Sequence, residues 1–330
     1  MKWQNIFIPH KLWHALNIEI NALKDIVRYG LPDVMLQFLG GIGDELLLTI
    51  VARELKKRNR DLKIWQVSYG AEILFNNPDY TKVFDWSHQA LRHALFLNSR
   101  RCKLDGYAEE KIPGELYVPP EESIVTILCR KAGLKGKIVL RPYFYFVDGE
   151  KAFGTFGERQ ITIQCVGENS WINMKKNKLW DFQKFQKVVN AINSGIFGAD
   201  IKVVQMGVDK DPLLEGVTDL RGKTTLRQVA AVLHNSDCYI GMEGFLMHLA
   251  RAVECRSVII YGGHEHSFQS GYICNENLES HVECAPCWRW NTCDHGRKCL
   301  EMIKPDDVLR AIEKVLSKKG MPLETQTVVA

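Results

Sequence analysis

The chain has 330 residues, 46% of them hydrophobic, and carries 43 Lys and Arg against 39 Asp and Glu for a formal net charge of +4. That length accommodates two domains of ordinary size, and a small net charge spread over interspersed acids and bases speaks against a nucleic-acid binder. No apolar run approaches the roughly 18–20 residues of a membrane span, and the opening residues lack the unbroken apolar core and small-residue cleavage site of a secretory leader. A cytoplasmic protein with no transmembrane segment is expected, its ten cysteines too many to be left unexplained but kept reduced in that compartment.

In chain order, Trp3, Ile6, Phe7, Leu12, Trp13, Leu16 and Ile20 predict a strand or hairpin followed by a packed helix, or else a contact surface for an acceptor or partner. Val34 to Leu39 reads as a buried strand that runs through Gly40, Gly41, Ile42, Gly43, Asp44 and Glu45 into a helix from Leu46 to Lys57. The glycines do not fit the dinucleotide fingerprint G-x-G-x-x-G. Asp44 at the helix start suits either a general base, which must stand about 2.6–3.2 Å from the proton it takes, or a cap that stabilises its helix by about 1 kcal/mol, with Glu45 as the alternative base. A strand from Leu62 to Val67, a helix from Ala71 towards Pro78 and a strand from Lys82 to Asp85 follow. From Ser87 to about Pro120 the pattern blurs into loop, where His88, Arg92, His93, Arg100, Arg101 and Lys103 either hold an acidic acceptor or are simply solvated. Glu121 to Leu134 is helical, and Lys137 to Phe146 holds a strand and an aromatic cluster. The polar, glycine-rich run from Asp148 to Gly157 serves best as a connection, dividing the chain into residues 1–150 and 151–330.

The second half opens with a strand, Gln160 to Cys165, and a loop bearing Lys175, Lys176 and Lys178; a helix from Asp181 to Ile192 and a strand from Ile201 to Met206 lead to a turn holding Asp209. Asp219 to Gly263 is the clearest stretch. Thr225 and Gln228 form a capping box ahead of Leu226, Val229, Ala230 and Leu233, a strand ends at Gly241, a second helix repeats the spacing at Leu246, Leu249, Ala250 and Val253, and another strand ends at Tyr261. This α-β-α-β order predicts parallel strands. The turn Gly241-Met242-Glu243-Gly244 puts a strand's carboxyl end against a helix N-terminus, a place that favours an anion such as a diphosphate; an ordinary glycine turn explains it as well. Cys284, Cys287, Cys293 and Cys299 fall within 16 residues, denser than scattered buried thiols. They suit a structural zinc or iron, free thiols or disulfides, with Cys274, His281 and His295 as substitute ligands. A last helix begins at Pro305, and the tail from Ser317 reads as disordered.

Several of these motifs resemble glycosyltransferase family 9, the lipopolysaccharide heptosyltransferase group. The helix from Lys223 to Leu233, and the run from Gly241 through Glu243, Gly244 and Phe245 to His248, are similar to its donor-binding half, with Glu243 where the family usually has Asp and Gly244-Phe245 where it has Thr/Ser-Gly. Gly43, Asp44, Leu46 and Thr49 match the family's opening turn, and Lys178 with Trp180 and Phe185 matches its Lys-x-Trp element. The resemblance implies a GT-B fold, two Rossmann-like α/β domains facing across a cleft, here with a C-terminal cysteine-rich finger. It implies an inverting glycosyltransferase that needs no catalytic cofactor and moves a heptose from ADP-heptose to a saccharide or protein hydroxyl in lipopolysaccharide-type biosynthesis. Peripheral contact with the inner membrane surface is compatible with that work. Asp44 would be the base, Gly41 and Gly43 its loop, and Lys178, Asp209, Gly241, Glu243, Gly244, Phe245 and His248 the donor site. Some members carry cysteine-bound iron in a comparable finger. A UDP- or GDP-sugar donor, or a non-catalytic sugar-nucleotide-binding module, remains open on the sequence.

Overall fold

The computed structural model describes residues 20, 23–38, 40–85, 100–104, 110–112, 116–166 and 176–330; the opening strand or hairpin, His88, Arg92, His93 and Lys175 lie outside these residues. Residues 23–29 form α1. Then come β1 (Val34–Phe38), α2 (Ile42–Arg58), β2 (Ile64–Ser68), β3 (Lys82–Asp85) and β4 (Arg100–Leu104). These strands make a parallel sheet of order β3-β2-β1-β4. Arg100, Arg101 and Lys103 are therefore strand residues of β4, not loop residues. The helix expected after Ala71 is only a 3-10 turn, Ala71–Leu74. Asn76 adopts φ 61° there, and Pro78 disfavours helical backbone at the residue before it.

A small antiparallel ribbon of β5 (Glu110–Ile112) and β6 (Leu116–Tyr117), then α3 (Ile124–Lys131) and β7 (Lys137–Val139), complete the first half. The second half contributes β8 (Arg159–Gln164), α4 (Phe182–Asn193), β9 (Ile201–Met206), β10 (Thr218–Asp219), α5 (Leu226–His234), β11 (Cys238–Met242), α6 (Phe245–Ala252), β12 (Ser257–Gly262), α7 (Ser267–Ser270) and β13 (Glu276–Glu279). Its sheet is parallel throughout, in the order β10-β9-β8-β11-β12-β13. Helices cover both faces of such a sheet, so its strands are apolar without alternation; every residue of β11 and β12 is buried. The capping box at α5 forms as its spacing predicts, the Thr225 hydroxyl accepting the Gln228 N–H at 3.2 Å and Gln228 accepting the Thr225 N–H at 2.9 Å.

Two features join the halves. One apolar core includes Leu36, Leu47 and Ile50 beside β1 together with Tyr239, Leu246 and Leu249 of the second sheet and its helix. Arg227 on α5 donates to the Glu72 carbonyl at 2.8 Å and pairs with Glu150 at 2.6 Å. The tail, expected to be disordered, instead folds back after α8 (Lys298–Met302) and α9 (Pro305–Ser317): β14 (Thr327–Val329) pairs antiparallel with β7. β-branched residues suit that edge pairing. A buried guanidinium also needs acceptors, and Arg256, 6% exposed, finds them in Pro322 O at 2.8 Å and Glu324 at 2.7 Å.

In each sheet the strand order reverses beside its first strand, between β1 and β4 and between β8 and β11. Ligands of open α/β sheets collect outside the carboxyl ends of strands at such reversals. The turns after β1 and β11, the two singled out in the sequence, both lie there.

Candidate functional site

The turn after β1 is held by its own acid. Helix α2 starts a turn earlier than its periodicity indicates, at Ile42, which puts Asp44 in the first turn. Its carboxylate accepts the Gly41 N–H at 2.8 Å, and its own N–H reaches Gly41 O at 3.0 Å. Asp44 remains partly accessible whereas Glu45 is 0% exposed. Glu45 accepts from the Ser68 hydroxyl, from Tyr69 N at 2.8 Å and from Gly70 N at 3.2 Å. Burial holds its carboxyl above the ordinary range, opposed by those same hydrogen bonds. Glu45 thus fastens the loop after β2, which removes it as the alternative base.

The turn after β11 meets this loop. A Cβ built at Gly43 would stand 3.2 Å from Phe245 Cα and 3.3 Å from His248 Cδ2, so Gly43 is what lets α2 and α6 approach end to end. Gly244 caps α6 with φ 142°, where L side chains are strained, and open space lies where its side chain would be. No side-chain cap hydrogen bond is made at Gly244, so the positive end of the α6 dipole is left uncapped there. Gly241 sits against the Tyr239 ring, leaving no room for a side chain. His248 is 5% exposed and bonds to the Tyr272 hydroxyl through Nδ1 at 2.7 Å. Burial lowers its pKa to about 4, so the ring is neutral near pH 7 and packs in the core.

Beside Gly244 stands an ion cluster. The Lys178 ammonium pairs with Glu243 and, at 3.3 Å, with Glu265; the three side chains are 15%, 2% and 8% exposed. Because β11 and β12 are neighbours, with Met242 opposite Ile260, the residues just beyond their carboxyl ends come side by side. Burial acts to lower the lysine, but the two carboxylates outweigh it and raise its pKa. Glu243 is raised well above the usual carboxylate range by burial and then by Glu265, against the pull of Lys178. Glu265 is the residue that sequence reasoning missed. Nothing local in Gly263-His264-Glu265-His266 announces it; only the rule that adjacent parallel strands end together could have pointed there. Asp209, by contrast, is exposed in the turn after β9 and has no part in this cluster.

The four clustered cysteines come together in part. Cys284, Cys287, Cys293 and Cys299 are free thiols that line one cavity of about 240 Å³ with His264 and His295. Among the described residues, however, no three His, Cys, Asp or Glu side chains gather as a metal centre would require. The thiols and imidazoles around that cavity supply the donor chemistry that zinc or iron takes. Of the substitute ligands, Cys274 is 2% exposed in the core, while His281 stands 3.7 Å from Glu279. Trp290 stacks on Tyr117 at 5.4 Å and Trp288 donates to Gln269 at 3.2 Å, so both tryptophans fasten the finger to its surroundings.

Known proteins are similar to part of this sequence and to its fold. The model of glycosyltransferase family 9 (heptosyltransferase) matches residues 170–295, a span that includes Lys178, Glu243 and three of the four clustered cysteines but not Asp44. Two Escherichia coli proteins named lipopolysaccharide heptosyltransferase 3 are similar to it, one 26% identical over 158 residues, which is 42% of this chain and 43% of the relative, the other 27% identical over 171 residues, 48% of each. The chain therefore spans less than half the length of these curated relatives. Among solved structures, TibC, a dodecameric iron-containing heptosyltransferase in complex with ADP-D-β-D-heptose, superposes with a TM-score of 0.67 at 16% identity, covering 87% of this chain and 77% of TibC. Escherichia coli ADP-heptose heptosyltransferase II gives 0.62 at 15% identity over 87% and 99%. A family 9 glycosyl transferase of Veillonella parvula gives 0.61 at 14% identity over 87% and 98%. The fold is thus GT-B, two parallel α/β sheets with their ligand-facing ends together. Within that class, residues 170–295 are similar to the heptosyltransferases of glycosyltransferase family 9.

Proposed function

We propose that this protein transfers a heptose from an ADP-activated donor to a hydroxyl of a saccharide or protein acceptor, with inversion at the anomeric carbon. The observation that carries the reading is the seating of the Asp44 turn on the amino end of α6, beside the open space at Gly244. In this reaction the acceptor oxygen bonds to the anomeric carbon as the bond to the diphosphate oxygen breaks, and the hydroxyl proton passes to Asp44. The leaving group is a nucleoside diphosphate whose terminal phosphate gains charge as the bond lengthens. The free amides of α6 and the Lys178 ammonium stabilise that charge where it grows. An ammonium has three donors; Glu243 and Glu265 engage two directions, and the third is the one a phosphate oxygen would take. Glu243 then lies between lysine and sugar, with Gly241 and Phe245 shaping the pocket floor and Asp209 offered to the ribose.

No helix among the described residues is long and apolar enough to cross a membrane. The reading places the work in the cytoplasm, against the inner membrane surface where lipid-linked acceptors would be met. It divides the chain into an acceptor lobe, residues 1–150, and a donor lobe, residues 151–330.

Thermal melting with ADP, UDP, GDP and their sugars tests the donor. A ligand at 100 times its dissociation constant stabilises the fold by about 2.7 kcal/mol, and ADP and ADP-heptose are expected to raise the midpoint most. A larger shift with UDP or GDP would replace the donor, and binding without turnover of any donor would make the protein a sugar-nucleotide-binding module. The finger's thiols are proposed to hold one structural zinc or iron outside the reaction. Elemental analysis of the purified chain should return about one metal ion per chain, lost in Cys287→Ala; metal-free protein with an unchanged melting curve would leave them as plain thiols.

A further inference from the structure

Among the described residues ahead of α4, Lys178 closes a single 3-10 turn, Lys176–Lys178. Its ammonium nevertheless has to stay within hydrogen-bond reach of two carboxylates. The neighbouring residue supplies the constraint. Asn177 is 4% exposed and bonded through its N–H and its whole side-chain amide: its N–H donates to Trp290 O at 3.0 Å, its side-chain amide donates to Arg289 O at 2.9 Å and Thr292 O at 2.8 Å, and its Oδ1 accepts from Arg297 Nε at 3.1 Å. All four partners lie between Cys287 and Cys299. Two residues beyond the lysine, Trp180 is 2% exposed, donates its indole N–H to Ile303 O at 3.1 Å and packs edge-on against Phe185 at 4.8 Å. Lys178 is therefore held from both sides, with the finger on one.

We infer that Asn177 is the positioning residue through which the cysteine finger sets the reach of Lys178 towards a nucleoside diphosphate. The inference rests on the donor site proposed above and adds a task for the finger within it. Asparagine suits the place because one flat amide offers two N–H donors and one acceptor. Alanine would leave two carbonyls and a guanidinium N–H without their partner, and aspartate would turn an oxygen towards two carbonyl oxygens. Consecutive Cα atoms are about 3.8 Å apart, so a slip of about 1 Å at Asn177 carries over to Lys178 and takes its ammonium out of the 2.7–3.2 Å window of a good hydrogen bond. Displacements of that size at supporting residues are known to be costly.

The test titrates ADP, UDP and GDP, and the nucleoside of whichever diphosphate binds, by calorimetry into the full chain and into Asn177→Ala and Arg297→Ala. Asn177→Ala is expected to weaken the diphosphate about tenfold and Arg297→Ala about threefold, with nucleoside affinity unchanged in both. A general loosening of the fold would instead weaken nucleoside and diphosphate alike. The inference is overturned if Asn177→Ala binds the diphosphate within twofold of the parent chain, or if nucleoside and diphosphate fall together. Should Asn177→Ala fail to fold, the threefold change in the milder Arg297→Ala, read by the same ratio, decides it. A parent chain that binds none of the three diphosphates overturns the donor reading itself, and this role with it.

Discussion

Asp44→Asn is expected to lower kcat by about 10²–10⁴, the usual contribution of a positioned general base, while ADP affinity stays within about twofold. The amide keeps an oxygen that can accept the Gly41 N–H now bonded to the carboxylate at 2.8 Å, so α2 should start where it does and the melting point should scarcely move. This makes asparagine a sharper probe than alanine, which would remove the cap along with the base. Because the carboxylate acts only as the acceptor proton leaves, kcat and kcat/KM should fall together with little change in KM for the donor. Single-turnover product formation and calorimetric ADP binding on the same preparation separate the two effects. A variant that retains more than about a tenth of the parent kcat would assign Asp44 to capping alone. Glu45 gives no shelter to the alternative: its carboxylate is buried and already accepts from Ser68, Tyr69 and Gly70.

How far this site could be read from the sequence depends on the range of the interactions that build it. Asp219 to Gly263 was legible because its signals are local: a capping box four residues long, two helical apolar stripes and two buried strands. The Asp44 turn was legible for the same reason, its glycines and acid being adjacent in sequence. Glu265 was not, because its partnership with Lys178 spans 87 residues and exists only where two neighbouring strands end together. Asn177 was hidden in a run of lysines that reads as solvated loop, its partners more than 110 residues away in the finger. The tail misled for a different reason. Its Thr-Val-Val run is too short to stand out, and its pairing with β7 is backed by acceptors for an arginine buried elsewhere. The finger was legible in part: the cysteine spacing announces a cluster, and the four thiols do line one cavity, but their mutual geometry depends on contacts the spacing does not carry.

Lys178→Met should damage both the fold and its ligand site, and pH separates the two effects. Removing one partner of a buried ion pair leaves uncompensated charge and costs about 3–5 kcal/mol; here two carboxylates, 2% and 8% exposed, lose their shared cation. The native state answers by holding a proton on Glu243 that the unfolded chain, with ordinary glutamates, gives up. A folded-state pKa raised above its unfolded value means the native protein binds more protons, so stability is greatest at low pH and is lost as pH rises above the ordinary glutamate value of 4.5. In the parent chain Lys178 opposes that trend, since its own raised pKa keeps it charged beyond its ordinary 10.5. Melting curves of Lys178→Met should therefore fall more steeply as pH rises above 4.5 than those of the parent, by up to about 1.4 kcal/mol per pH unit for each proton released. Lys178→Met/Glu265→Gln, which leaves one buried carboxylate instead of two, should recover part of both the melting point and the parent's shallower profile. Diphosphate affinity should recover in neither, since a charge-assisted bond worth about 1.5–3 kcal/mol is absent from both. Equal pH slopes in parent and variant would mean that water, rather than Lys178, balances the glutamates, and the lysine would then be free to serve the donor without first being shared.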